Sequence, residues 1–119
     1  MSLMTMVQSL NLALDQSMAA DGDVLCLGED IAVNGGVFRV TKGLLEKYGA
    51  KRVRDTPLAE CGIVGTAVGM AIAGLKPVAE IQFSGFIYPC IDQILNHAAR
   101  LRTRTRGRLS CPLVLRAPN

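Results

Sequence analysis

The strongest constraint on the fold is a run without a single charged residue, Cys61–Leu75. Gly62, Gly65 and Gly69 recur within it, although a glycine inside a helix costs about 0.5–1 kcal/mol relative to alanine. Residues three and four positions apart share a helix face, so these glycines and Ala73 would form one smooth stripe. The pattern predicts a helix against which another backbone can pack, and we interpret the glycine stripe as a surface that faces another subunit.

A carboxylate, Glu60, opens this predicted helix. The backbone amides and the dipole at a helix start stabilise a negative charge, whereas burial disfavours it. A carboxyl group held between these two effects is suited to proton transfer. Glu29 and Glu80 also fall near strand ends or helix starts, which favours a carboxylate cluster. The alternative interpretation of each acid is a solvated surface charge. We favour a functional role over this alternative only for Glu60, because its surroundings are apolar.

The whole chain alternates between helical and strand patterns. Thr5 and Gln8 have the spacing of a capping box at the start of an amphipathic helix. The predicted helices cover 5–19, 40–48, 60–73 and 87–101, and the predicted strands cover 24–27, 78–83 and 112–115, with a weak strand at 53. Gly74 and Pro77 are expected to close the third helix. This alternation predicts an α/β fold, a parallel sheet with helices on both faces.

Composition narrows the class of protein. The 119 residues fit one domain, half of them are hydrophobic, and the net charge of +3 is too small to imply a polyanion partner. The charge-free run is shorter than the roughly 20 residues of a membrane span, and no signal peptide is recognisable, so we expect a soluble protein without a membrane partner. The four cysteines form no C-x-x-C pair and are interpreted as buried residues of a reducing cytoplasm. Residues 1–3, ahead of a second methionine, are expected to be a leader.

Two features have a functional and a structural interpretation. Arginines occupy alternate positions across 100–108, which is compatible with nucleic-acid binding. We favour a solvated helix C-terminus, because few aromatic residues are available to stack on bases. His97, the only histidine, is expected at the surface. Asn34-Gly35-Gly36 is expected to be a turn, and it lacks the glycine order of a phosphate-binding loop.

Six motifs in a fixed order give the chain a family resemblance. They are Leu27-Gly28-Glu29-Asp30, Gly35–Leu44, Asp55-Thr56-Pro57-Leu58-Ala59-Glu60, Ala79-Glu80-Ile81-Gln82-Phe83, Asp92-Gln93-Ile94 and Leu113–Pro118. Together they resemble the β subunit of the thiamine diphosphate-dependent decarboxylating component of the 2-oxo acid dehydrogenase complexes, of the pyruvate, branched-chain 2-oxo acid or acetoin type. The resemblance extends from Met4 to Asn119 and implies a transketolase-like, pyrimidine-binding domain.

The resemblance implies a role for four residues. Glu60 corresponds to the glutamate that hydrogen-bonds the aminopyrimidine of the cofactor and promotes loss of the thiazolium C2 proton, after which a 2-oxo acid is decarboxylated and its acyl group passes to lipoyl. Phe86 corresponds to the aromatic residue that packs on the pyrimidine, and Gln82 lies nearby. Glu29 corresponds to a second acid in a proton path between two active sites. This chain has Pro89 where some members carry another acid of that path.

The resemblance also implies partners and ions. The enzyme is an α2β2 tetramer that contains a second β subunit and works with a lipoyl acyltransferase core, and the α subunit holds Mg²⁺ and the diphosphate. The backbone carbonyls of Cys111, Leu113 and Val114 correspond to part of a potassium site. The family's His-Ser-Gln motif and second domain are not found in these residues, so we expect an incomplete, N-terminal part of the pyrimidine-binding domain at 1–119, inactive alone. The alternative is a non-catalytic α/β interaction module.

Overall fold

The structure, a computed structural model, describes residues 3–119, so the expected leader lies outside the described residues except for Leu3. Four strands form one parallel sheet in the order β2-β1-β3-β4, which confirms the α/β class. Its strands are β1 (Val24–Gly28), β2 (Val53–Asp55), β3 (Lys76–Glu80) and β4 (Val114–Arg116). The helices are α1 (Met6–Ala20), α2 (Leu44–Tyr48), α3 (Glu60–Ile72) and α4 (Arg100–Arg104), with a 3₁₀ helix at Ser84–Cys90 and a π-helix at Gln93–Ala99.

Strand β1 is buried along its whole length and divides the core into two layers. Leu25 and Leu27 belong to the layer that contains the buried face of α3, whereas Val24 and Cys26 belong to the layer that contains residues of α1 and α2. Successive side chains of a strand point to opposite faces, so the uninterrupted apolar run of β1 serves both layers. The prediction of helices on both faces is confirmed.

The two longest helices begin where the sequence predicts. The N–H of Thr5 donates to Oε1 of Gln8 at 2.8 Å, and the N–H of Gln8 donates to Oγ1 of Thr5 at 3.2 Å, which completes the capping box of α1. Helix α3 begins at Glu60 and ends at Ile72. Gly74 follows with a φ of 98°, a conformation that turns the chain away from the helix.

Helix α2 is shorter than predicted, since residues 40–43 form turns rather than its first turn. Gly43 has a φ of 84°, outside the helical region. The buried hydroxyl of Thr41 donates to the carbonyl of Ile31 at 2.6 Å and holds this segment against the preceding loop. Helix α2 ends at its C-cap, Gly49, which has a φ of 76°.

The boundaries of β3 and β4 differ from those predicted. The N–H of Lys76 donates to the carbonyl of Asp23 at 2.9 Å, so β3 begins two residues earlier and contains Pro77, which was expected to end the preceding helix. The nitrogen of Pro77 lies on the side of β3 that faces away from β1. An N–H donor is not needed there, because β4 pairs with β3 only from Val78 onward. That register also places β4 later than 112–115.

The single helix predicted over 87–101 is wrong in form. Pro89 has no N–H to donate, and its segment is a 3₁₀ helix, followed by the π-helix and α4. A π-turn contains more residues than an α-turn and so shifts the side chains around the helix axis, although Ile94 and Ala98 still pack against the same core cluster. Ile94 packs against the core, whereas Leu95 is 51% exposed.

The expectation for the cysteines is only partly correct. Cys26 and Cys90 are buried, Cys111 is half-buried, and Cys61 is exposed on the outer side of the first turn of α3. All four are free thiols. None of the helices formed by residues 3–119 combines the length and apolar character needed to cross a membrane.

Candidate functional site

The carboxyl edge of the parallel sheet gathers the residues predicted to bind the pyrimidine. Glu29 directly follows β1, Glu60 follows β2 after a short connection, and Gln82 and Phe86 follow β3. Strands that run parallel end at the same edge, which is where open α/β sheets bind ligands. The structure therefore brings all four predicted residues to one edge of the domain.

Glu29 is a buried carboxylic acid without a compensating partner. The residue is 7% exposed, and among the described residues its Oε1 atom has no hydrogen-bond donor. Burial raises the pKa of Glu29, and the nearby charges of Glu60 and Asp30 raise it further. The interpretation of Glu29 as a solvated surface charge is wrong, and its proton is held more tightly than that of an ordinary glutamate.

Glu60 is half-buried at the first position of α3. The residue before it, Ala59, offers no side-chain cap, so the first amides of the helix are left for other acceptors. The N–H of Thr56 donates to the carbonyl of Gly28 at 3.0 Å, which fixes the connection before α3 to the end of β1. Glu60 is thereby held beside Glu29 at the entrance of the helix, the position predicted for it.

The loop after Glu29 is held by two aspartates. Asp55 accepts the N–H of Ala32 at 2.7 Å through Oδ1 and the N–H of Val33 at 3.3 Å through Oδ2. Asp30 adopts a φ of 56°, and its carbonyl accepts the N–H of Gly36 at 2.8 Å. In the sequence, Asp55 was identified only as the first residue of the motif that ends at Glu60, and its position at the end of a short strand was the signal for this role.

Glu80 does not join the carboxylate pair. Its buried side chain forms an ion pair with Arg116, its neighbour in the register of β3 and β4. Burial raises the pKa of Glu80, and Arg116 opposes this shift. Gly36, with a φ of 80°, lies over the carboxylate, since a Cβ there would come 3.5 Å from Oε1 of Glu80. The prediction of a cluster of three glutamates is thus wrong for Glu80, which is paired with Arg116, whereas Glu60 lies near enough to Glu29 to raise its pKa.

An open aromatic surface lies at the same edge. Phe86 is 49% exposed, and its ring meets that of Phe83 edge to face at a centroid distance of 5.9 Å. Phe83 in turn meets Phe38 edge to face at 6.2 Å. Nε2 of Gln82 donates to Oδ2 of Asp30 at 3.5 Å, which connects this segment to the loop beside Glu29. Phe86 is the aromatic residue that the resemblance predicts, and the rings of Phe38 and Phe83 beside it were not predicted.

The predicted potassium carbonyls lie before and within β4. The carbonyl of Cys111 accepts the N–H of Leu113 at 2.9 Å, and Val114 is the first residue of the strand. Across residues 3–119, no three side chains of His, Cys, Asp or Glu are grouped so that they could hold a metal ion. The potassium site at Cys111, Leu113 and Val114 stays a prediction.

The arginine-rich segment uses part of its charge locally. Arg100 and Arg104 donate to the side chain and the carbonyl of Asn96, both at 2.8 Å. Arg108 donates to the carbonyl of Thr105 at 3.2 Å. These bonds favour the interpretation of a capped helix C-terminus. His97 is exposed, as predicted, and its Nε2 lies 3.7 Å from the carboxylate of Asp92.

Chemically, the edge combines two carboxyl groups of different burial, a hydrogen-bonding amide and an apolar aromatic face. Such a set can hold a flat heterocycle by packing and hydrogen bonds while a carboxyl group exchanges a proton with it. Glu60 is the accessible member of the carboxyl pair, and Glu29 is the enclosed one.

The chain is similar to known proteins along its whole length. It is 55% identical over 119 residues to the pyruvate dehydrogenase E1 component subunit beta of Acholeplasma laidlawii, covering 100% of this chain and 36% of the relative. It is 57% identical over 116 residues to the 3-methyl-2-oxobutanoate dehydrogenase subunit beta of Mycobacterium tuberculosis, covering 98% of this chain and 33% of the relative. It is 48% identical over 118 residues to the 2-oxoisovalerate dehydrogenase subunit beta of Bacillus subtilis, covering 99% and 36%.

The chain therefore spans about a third of the length of the curated relatives it matches. Residues 2–119 match the family model described as the transketolase pyrimidine binding domain. This match includes the sheet, the helix that begins at Glu60 and the edge that carries Glu29. The chain belongs to the family of the transketolase pyrimidine-binding domain.

Proposed function

We propose that this chain forms part of the β subunit of a thiamine diphosphate-dependent 2-oxo acid dehydrogenase and binds the aminopyrimidine of the cofactor. The family of the domain and the names of the relatives support this class of enzyme. The observation that carries the proposal is the buried Oε1 of Glu29, which lacks a donor and lies near enough to the half-buried Glu60 for the charge of Glu60 to raise the pKa of Glu29. Two unneutralised carboxyl groups at one edge destabilise a fold, and a ligand that shares their protons compensates that cost.

The residues at the edge fit an aminopyrimidine. The ring is flat, so the exposed face of Phe86 can pack on it, and its nitrogens and amino group can bond with carboxyl groups and the amide of Gln82. Glu60 would hold a proton between its carboxyl oxygen and the ring. Glu29, which is more buried than Glu60, would accept or donate a proton farther from the solvent. Thiamine diphosphate, when bound, supplies the electron sink that allows a 2-oxo acid to lose carbon dioxide.

The remaining parts of the enzyme follow from the same proposal. The substrate is pyruvate or a branched-chain 2-oxo acid, and the acyl group passes to a lipoyl group of an acyltransferase core. An α subunit supplies the Mg²⁺ and diphosphate site, two αβ pairs form an α2β2 tetramer, and the carbonyls of Cys111, Leu113 and Val114 contribute to a potassium site. The protein works in the cytoplasm, and residues 1–119 without the other parts are expected to be inactive.

A titration with thiamine diphosphate tests the proposal in the assembled enzyme, in which the β subunit carries this sequence. Replacing Glu60 or Phe86 by alanine should weaken binding about tenfold or more, since each removes a direct contact with the ring. Glu46→Ala, in an exposed glutamate of α2, is the matched control and should leave binding unchanged. Unchanged binding in both Glu60→Ala and Phe86→Ala would favour the non-catalytic interaction module instead.

A further inference from the structure

We infer that Phe38 is a positioning residue that acts through Phe83 to hold the ring of Phe86 in place for the cofactor. The inference rests on the proposed contact between Phe86 and the pyrimidine. Phe38 lies in the loop after Glu29, and its ring contact is with Phe83 and not with a predicted site residue.

The three rings form one row of edge-to-face contacts. Phe38 meets Phe83 at a centroid distance of 6.2 Å and an interplanar angle of 79°, and Phe83 meets Phe86 at 5.9 Å and 85°. Both distances and angles lie in the favoured range for aromatic pairs, where each contact changes an equilibrium by about two- to twelvefold beyond simple burial. Phe83 is the middle ring, so the orientation of Phe86 depends on a ring that Phe38 supports from the other side.

The rings themselves are too exposed to be oriented by core packing. Phe38, Phe83 and Phe86 are 42%, 39% and 49% exposed. A half-exposed ring is free to change rotamer unless a neighbour restricts it. The edge-to-face contact with Phe83 is a restriction of this kind on the ring of Phe86.

Hydrogen bonds hold the backbone at both ends of the row of rings. On the Phe38 side, the N–H of Thr41 donates to the carbonyl of Gly35 at 3.1 Å, and its buried hydroxyl donates to the carbonyl of Ile31 at 2.6 Å. On the other side, the N–H of Phe86 donates to the carbonyl of Phe83 at 2.9 Å. A held backbone on each side lets the position of one ring be transmitted to the next. The loop over 30–43 thereby contributes to the pyrimidine site without touching the ligand.

A double-mutant cycle in the assembled enzyme tests the inference, with thiamine diphosphate affinity and melting temperature as readouts. Phe38→Ala should weaken thiamine diphosphate binding about three- to tenfold at an unchanged melting temperature, because Phe86 loses its preferred orientation. Phe38→Tyr, which keeps the ring, should restore the affinity. The double variant Phe38→Ala/Phe86→Ala should bind no more weakly than Phe86→Ala alone.

Val33→Ala is the matched control, since Val33 is a 78% exposed apolar residue of the same loop. It should leave affinity unchanged. Independent, multiplying losses in the two phenylalanine variants would overturn the inference, as would a failure of Phe38→Tyr to restore binding. An effect of Phe86→Ala with none of Phe38→Ala would overturn this inference alone, whereas unchanged binding in Phe86→Ala and Glu60→Ala would overturn the proposed function with it.

Discussion

The carboxylate of Glu80 and the guanidinium of Arg116 form an ion pair across the register of β3 and β4, with side chains only 5% and 17% exposed. The pair lies at the carboxyl ends of both strands, and the chain continues from Glu80 to Gln82 and then Phe86 at the candidate site. A buried ion pair of this kind adds little stability compared with apolar residues. Removing one partner, however, leaves the other charge buried without compensation. The pair therefore makes the edge sensitive to a single substitution.

Arg116→Met should destabilise the subunit by about 3–5 kcal/mol, because Glu80 would remain buried without a partner. The measurement is the free energy of unfolding in urea. Arg102→Met, in an exposed arginine of α4, serves as the control and should change it by less than about 0.5 kcal/mol. Glu80→Leu combined with Arg116→Met should recover most of the loss. A double variant as unstable as the single one would show that the charge of Glu80 is not the cause.

Glu29→Gln should stabilise the subunit near neutral pH in the absence of cofactor. Burial and neighbouring acids raise the pKa of Glu29 in the folded state, so its contribution to stability is present at low pH and is lost as pH rises through that raised pKa. The gain should shrink as pH falls toward the ordinary glutamate pKa of about 4.3. Unfolding free energies measured across this range test it. A gain that is the same at every pH would contradict the shifted titration.

The glycine stripe is tested better at Gly69 than at Gly65. A Cβ at Gly65 would lie 3.3 Å from Oε1 of Gln93 in the same chain, whereas a Cβ at Gly69 would meet nothing within 4 Å. Gly65→Leu therefore disturbs the packing of α3 on the π-helix. Gly69→Leu should leave the subunit folded, with about 1 kcal/mol of gain from helix propensity, and weaken assembly if the stripe faces another subunit.

Sedimentation of the assembled enzyme measures that effect. Ala19→Leu, in an exposed small residue of α1, is the control for a larger side chain on a helix surface. Intact assembly of the Gly69→Leu variant would show that this face of α3 is not an interface.

Asp55→Ala should loosen the loop that follows Glu29. The substitution removes the acceptor of the N–H groups of Ala32 and Val33, and hydrogen bonds to a charged acceptor contribute about 1.5–3 kcal/mol. Hydrogen exchange of these two amides should accelerate about tenfold or more. Asp23→Ala, in an exposed aspartate, should leave their exchange unchanged. Equal exchange in the two variants would mean that Asp55 does not hold the loop.

Local patterns were enough to predict the parts of the fold that depend on neighbours in sequence. The capping box of Thr5 and Gln8, the buried run of β1 and the start of α3 at Glu60 are confirmed. The errors lie where a distant partner decides. Pro77 is accommodated in β3 because β4 does not pair there, and the registers of β3 and β4 are set by contacts between strands.

The site shows the same division. Its edge location follows from the strand pattern, so Glu29 and Glu60 could be placed from strand ends and helix starts, whereas Gln82 and Phe86 were predicted only through the family resemblance. The burial of Glu29 could not be predicted from the sequence, because it depends on how the loop held by Asp55 folds over the end of β1. The pairing of Glu80 with Arg116 likewise requires the register of two strands that are far apart in the chain.

The proposed role of Glu60 is to exchange a proton between its carboxyl group and the aminopyrimidine ring of thiamine diphosphate. Its most direct test is the rate of deuterium exchange at the thiazolium C2 position in the assembled enzyme saturated with cofactor, compared between the unmodified protein, Glu60→Gln and the surface control Glu46→Gln. This role predicts a loss of about 10²–10⁴-fold in Glu60→Gln alone, the usual contribution of a positioned acid or base. Exchange in Glu60→Gln within about twofold of the control at full cofactor occupancy would contradict it, being a free-energy change of only about 0.4 kcal/mol.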